Sequence, residues 1–199
     1  GTITDAIGHC GVAFDDVDRE LDSLVRSNGD LHFGETTFHG FVVTALGVKL
    51  LGETFVAMEW DGTNHQIATI TNSIVRWGRL DRNGEIVTAM ADKFTPAAGQ
   101  RYVRVWMSRQ GSSIYWAFYK DVDSGGVFSE SRVAFARTSL TGTVEVSPVE
   151  VTGANLSAPA QEIRLATDSD TNSHIFYRPG ASRAFQSDAF QNNAFQTVS

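Results

Sequence analysis

Between Leu31 and about Tyr177 the apolar positions recur at a period of two, the spacing of strands with one side turned to a core. The pattern is clearest from Arg101 to Lys120, where two runs rich in β-branched and aromatic residues flank a polar connection at Gly111, the form of a β-hairpin. In the first run Val103, Val105 and Met107 fall on one face and Arg104 and Ser108 on the other. In the second, Ile114, Trp116 and Phe118 alternate with Tyr115, Ala117 and Tyr119, so both faces are apolar. That suits a central strand covered on both sides, or one whose second face is a contact surface.

Continued along the chain, the pattern predicts strands over 31–38, 40–48, 53–60, 65–76, 84–91, 101–109, 113–120, 126–137, 143–151, 161–166 and 174–178. Asp61-Gly62, Asn83-Gly84, Gly125-Gly126 and Thr141-Gly142 supply the turns, and Pro96, Pro148 and Pro159 fall in loops or at strand ends. The expected fold is all-β, an antiparallel β-sandwich of the jelly-roll or lectin-like kind, with a closed barrel as the alternative. One short N-terminal helix is expected before it. Asp15 or Asp16 caps its start, Val17, Leu21, Leu24 and Val25 recur at helical spacing, Asp22 pairs with Arg26, and Gly29 ends it. The predicted organisation is an N-terminal segment over 1–30, a sandwich over 31–179 and an extended tail over 180–199.

The tail repeats itself. Residues 184–196 write Ala-Phe-Gln three times at a spacing of five, which puts Phe185, Phe190 and Phe195 on no common face of a strand or helix. Three phenylalanines on a polar tail call for a binding partner, so they and Gln186, Gln191 and Gln196 are the expected docking residues, with a neighbouring copy favoured over the chain's own surface. This ending resembles those of structural proteins of tailed bacteriophages and their domesticated relatives. The resemblance implies a non-enzymatic structural part of a virion, assembled in the host cytoplasm with copies of itself and with other virion proteins. Closed rings of identical interfaces are the common solution for such parts.

Charge and chemistry narrow the alternatives. A net charge of −7 argues against nucleic acid as a partner, since that affinity draws on Lys and Arg releasing counterions. The single Cys10 cannot form an internal disulfide. No run approaches the roughly 20 apolar residues of a membrane helix, and no basic start leads into an apolar stretch, so a soluble protein without membrane insertion is expected. Asp168-Ser169-Asp170-Thr171-Asn172 opens like an EF-hand loop but has Ser173 where glycine belongs and Pro179 where glutamate belongs. His9, His32, His39, His65 and His174 have no ligand spacing, so neither metal nor cofactor is expected.

Two other functions compete with the virion reading. Trp60, Tyr102, Trp106, Tyr115 and Tyr119 are aromatics that alternation can send outward, where they would stack on a host-surface glycan and make the chain a carbohydrate-binding or receptor-binding module. Glu59 and Asp61 place two carboxylates two residues apart, as some glycan-cleaving sandwich enzymes do. The bland reading of that pair is a turn at Asp61-Gly62 beside a solvated glutamate.

Overall fold

The computed structural model describes residues 11–15, 20–27, 30–37, 40–42, 56–125, 127–156, 160–167, 173–179 and 196–198. The described residues are strands and turns, and the chain divides into two compact units, Gly1–Lys93 and Phe94–Ser199. Every pairing with an assigned register is antiparallel.

The first unit holds two four-stranded sheets. One is β1 (Gly11–Asp15), β2 (Glu20–Ser27), β3 (Asp30–Thr37) and β4 (Gly40–Val42), in that order. Here the expected helix is corrected: Glu20–Ser27 is a strand paired with β1 and β3. Ser27 lies opposite Asp30, so the two residues between them are Asn28-Gly29, a dipeptide that serves a hairpin turn as readily as Gly29 alone serves a helix end. A two-turn apolar stripe is too short to hold a helix by itself, and strand pairing on both sides prevails.

The other sheet of this unit is β5 (Val56–Trp60), β6 (Asn64–Thr71), β7 (Ile74–Asp81) and β8 (Ile86–Phe94). The single strand expected over 65–76 is two strands, because Asn72 and Ser73 turn the chain with φ of 50° and 67°, the left-handed pair that a two-residue hairpin demands. At the next turn Asp81 Oδ1 accepts from the N–H groups of Asn83 and Glu85 at 2.8 and 2.9 Å, and Gly84 sits at φ 83°. Ile67, Ala68, Val75 and Leu80 form the buried centre. Gly78 lets β8 approach: a Cβ there would meet Met90 Sδ at 2.7 Å and the Thr88 carbonyl at 2.8 Å.

The second unit contains a longer sheet, β9 (Gln100–Gln110), β10 (Ser113–Ser124), β11 (Val127–Ser139) and β12 (Val144–Leu156), in the order β12-β11-β10-β9. Beside it lies a sheet of β13 (Ala160–Thr167), β14 (Ser173–Pro179) and β15 (Gln196–Val198). As its alternation requires, β10 is central and buried from Ile114 to Asp121. One face carries Tyr115, Ala117 and Tyr119, which pack with Val133, Phe135 and Val151 against Ile163, Leu165 and Ile175 of the other sheet. The opposite face stacks Trp116, Phe118, Phe94 and Tyr102 with ring centroids 5.2 to 6.2 Å apart. Each large side chain so buried contributes about 2–3 kcal/mol.

The all-β antiparallel expectation holds, and sheet packs on sheet within the second unit. The connectivity differs from a jelly roll. In each sheet the described strands follow in sequence order, without the Greek-key crossings that a jelly roll requires.

Candidate functional site

The carboxylate pair expected at Glu59 and Asp61 separates into two roles. Asp61 is buried; its Oδ1 accepts from the N–H groups of Thr63 and Asn64 at 2.9 and 2.7 Å, and its Oδ2 accepts from Gln66 Nε2 at 2.5 Å. Gln66 in turn accepts from the Trp77 indole N–H at 2.7 Å. Asp61 is thus a turn carboxylate whose two oxygens hold the β5–β6 connection to β7, with no oxygen turned to a substrate. Glu59 is half-buried on β5, opposite Gln66.

The outward aromatics are also corrected. Trp60, Tyr102, Tyr115 and Tyr119 are all buried. Sheet-on-sheet packing takes Tyr115 and Tyr119, and Tyr102 packs on Phe118 while Trp60 packs on His65. A bulge explains Tyr102. Arg104 lies opposite Tyr119 but Tyr102 lies opposite Lys120, so Val103 is the extra residue and the alternation expected along β9 breaks there. Trp106 is the half-buried exception, with the Arg164 guanidinium 4.3 Å from its ring centroid. Phe185, Gln186, Phe190, Gln191 and Phe195 lie outside the described residues, as does the Asp168–Asn172 loop. Gln196 opens β15, opposite Ile175 of β14. Among the described residues no group of three His, Cys, Asp or Glu is placed to hold a metal.

The densest ionic chemistry lies elsewhere, where β9 to β12 meet at one end of their sheet. Arg132 on β11 holds two glutamates. Its Nε donates to Glu130 Oε1 at 2.7 Å and its Nη2 donates to the same oxygen, while its Nη1 donates to Glu150 Oε1 and Oε2 at 3.1 and 2.9 Å. Lys120 Nζ, on the neighbouring β10, also donates to Glu150 Oε1. The side chains of Glu130 and Glu150 remain 25% and 39% exposed, so solvent reaches both, whereas Lys120 is nearly covered at 11%. The hydrogen bond from Lys120 is the largest influence on the Glu150 carboxyl; burial pulls the other way, and with Arg132 added to Lys120 the group is held below its ordinary range. Burial and the charge of Glu150 raise the Tyr102 phenol, so Tyr102 keeps its proton. On the opposite face Asp121 accepts from Ser131 Oγ, and Arg101 reaches both Asp121 and Asp123 at 3.4 Å.

Glu130 and Glu150 carry no signal in the sequence. They are 20 residues apart, and they meet because the β11–β12 pairing has three register shifts that bring Glu150 opposite Ala134, near Arg132.

No family model matches the sequence, and no curated protein matches it. Among solved structures, the chain is similar to Bacteroides ovatus xyloglucan PUL GH43B, at 18% identity over 78% of this chain and 33% of that one, with a TM-score of 0.50. It is also similar to an endo-1,4-β-xylanase from Bacteroides thetaiotaomicron VPI-5482, at 7% identity over 87% of this chain and 66% of that one, TM-score 0.52. A third is a subtype N10 neuraminidase-like protein of A/little yellow-shouldered bat/Guatemala/060/2010, at 10% identity over 84% of this chain and 57% of that one, TM-score 0.51. At these identities the likeness is one of fold, and the chain spans about a third of the length of GH43B. The expectation of a non-enzymatic virion part is corrected here. It rested on the last residues of the chain, whereas most of the chain shares its fold with glycoside hydrolases.

Proposed function

We propose that this chain is a β-propeller portion of a glycan-cleaving enzyme, with Glu130 and Glu150 as its pair of working carboxylates. Sheets whose strands follow in sequence order have the connectivity of propeller blades, and blades bury both faces as β10 does. The observation that carries the reading is the seating of two solvent-reached glutamates on opposite edges of one guanidinium. Carboxylates that cleave glycosides stand about 5–9 Å apart, and a guanidinium with one carboxylate on each edge gives a spacing of that order.

The hydrogen bonds support a division of roles. Both oxygens of Glu150 accept from cations, so Glu150 is the anion that attacks the anomeric carbon or takes the proton of the attacking water. Both Arg132 donors to Glu130 converge on Oε1, and Glu130 is the second carboxylate of the pair, beside which the leaving glycosidic oxygen takes up a proton as its C–O bond breaks. Glu59 and Asp61 have no part in this. The test is release of reducing sugar or nitrophenol from a panel of xylans, arabinans and aryl glycosides. Activity that Glu150→Gln and Glu130→Gln abolish and Glu59→Gln retains supports the assignment. A wild-type chain that cleaves nothing on the panel overturns it.

A further inference from the structure

Lys120 of β10 and Arg132 of β11 stand directly opposite each other in the register, two cations on one face of the sheet. Like charges so placed repel, and little water screens Lys120, whose side chain is 11% exposed. Glu150 Oε1 on β12 accepts from both. Arg132 gives its other edge, Nε and Nη2, to Glu130. Among the described residues, the charged and titratable groups around Glu150 are Lys120, Arg132, Glu130 and Tyr102 of β9, which the bulge at Val103 sets opposite Lys120.

We infer that Lys120 is a positioning residue, which makes the two glutamates of the working pair unequal and keeps Glu150 as its anion. The inference rests on the glycan-cleaving reading above and supplies the cause of its division of roles. By itself the Arg132 guanidinium offers one edge to each carboxylate and favours neither. The Lys120 ammonium, a compact point charge added on the Glu150 side alone, breaks that symmetry. A proton on Glu150 would leave two facing cations without the anion between them, so the network resists it. The lowered titration of Glu150, whose largest cause is the Lys120 hydrogen bond, agrees with this geometry. Nearly covered and engaged with Glu150, the ammonium acts on the reaction through that carboxylate and does not itself touch the sugar.

The experiment follows the Glu150 carboxyl by carbon NMR in glutamate-labelled protein, assigned with Glu150→Gln, beside the pH profile of kcat/KM on a glycoside that the wild type cleaves. Lys120→Met is expected to move the Glu150 midpoint to higher pH and to carry the acid limb of kcat/KM up with it. At a pH below the wild-type limb, kcat/KM then falls about threefold or more. Methionine matches the lysine stem and Glu150 keeps Arg132, so the fold is retained. Lys120→Gln, which keeps a donor without the charge, moves both readings the same way, and Lys120→Arg restores them. Arg137→Gln removes a cation from the opposite face of the same sheet and leaves both in place. A Glu150 midpoint unmoved in Lys120→Met overturns the inference. So does a midpoint that moves while the limb stays, which makes Lys120 a structural ion pair. Either result leaves cleavage by the glutamate pair standing, whereas a wild type that cleaves nothing brings down the enzyme reading and the positioning role together.

Discussion

Asp61 and Glu150 are both carboxylates hydrogen-bonded by several donors, one in each unit of the molecule, and they do different work. The donors to Asp61 come from Thr63, Asn64 and Gln66, two to five residues along the chain, and the group is sealed from water. Those to Glu150 come from Arg132 and Lys120, 18 and 30 residues away, and the group stays open to solvent. A carboxylate held by its own turn completes a fold. One held by cations on other strands and still 39% exposed is the carboxylate on which the proposed function draws. The count of hydrogen bonds does not separate the two; the sequence distance of the donors and the exposure do.

The contrast breaks most sharply in activity. Glu150→Gln is expected to lower kcat roughly 10³-fold, the usual scale for a positioned acid or base, while a urea melt moves by less than about 1 kcal/mol because the group is partly exposed. An activity loss matched by an equal stability loss would make Glu150 structural like Asp61. Asp61→Ala is expected to do the reverse, costing about 3 kcal/mol by leaving Gln66 and two backbone N–H groups without their acceptor. Its folded fraction should turn over at the wild-type rate per molecule.

Gly78→Ala tests how tightly the same unit is packed. With Met90 and the Thr88 backbone inside 3 Å of the new methyl, the expected cost is about 2 kcal/mol in a denaturant melt. The pH dependence of stability gives a smaller effect. Since the Glu150 carboxyl is held below its ordinary value of 4.5 in the folded state, its contribution is complete above that value and is lost as pH falls through the lower folded one. The difference in urea midpoint between wild type and Glu150→Gln should therefore shrink as pH is taken below 4.5, and a difference that grows there contradicts the assigned sign. Smallest of all, Arg137→Gln at the surface pair with Glu145 should shift stability by no more than about 0.5 kcal/mol.

Much of the fold was legible. The β9–β10 hairpin, the doubly apolar β10 and the turns at Asp61-Gly62 and Asn83-Gly84 follow from period and dipeptide chemistry. The same local reasoning weighed Asp61 as a turn residue, because the donors that claim it lie within five residues of it along the chain. It misplaced β2, where a short helical stripe leads straight into the hairpin dipeptide Asn28-Gly29 just past the strand's end. It also missed the bulge at Val103, which moves Tyr102 onto the buried face with Phe118.

By itself the sequence determined an antiparallel all-β chain, most of its strands and the local purpose of Asp61, since each depends on residues within a few positions of one another. Only the tertiary structure decided which charges meet. Glu130, Arg132, Glu150 and Lys120 converge through register shifts between long strands, and Arg164 reaches Trp106 through the packing of one sheet on another. Period-two alternation fixes which face a side chain takes, but a bulge or a shift of one residue changes what stands opposite it. That choice is settled by the cooperative packing of two sheets, which no local stretch encodes.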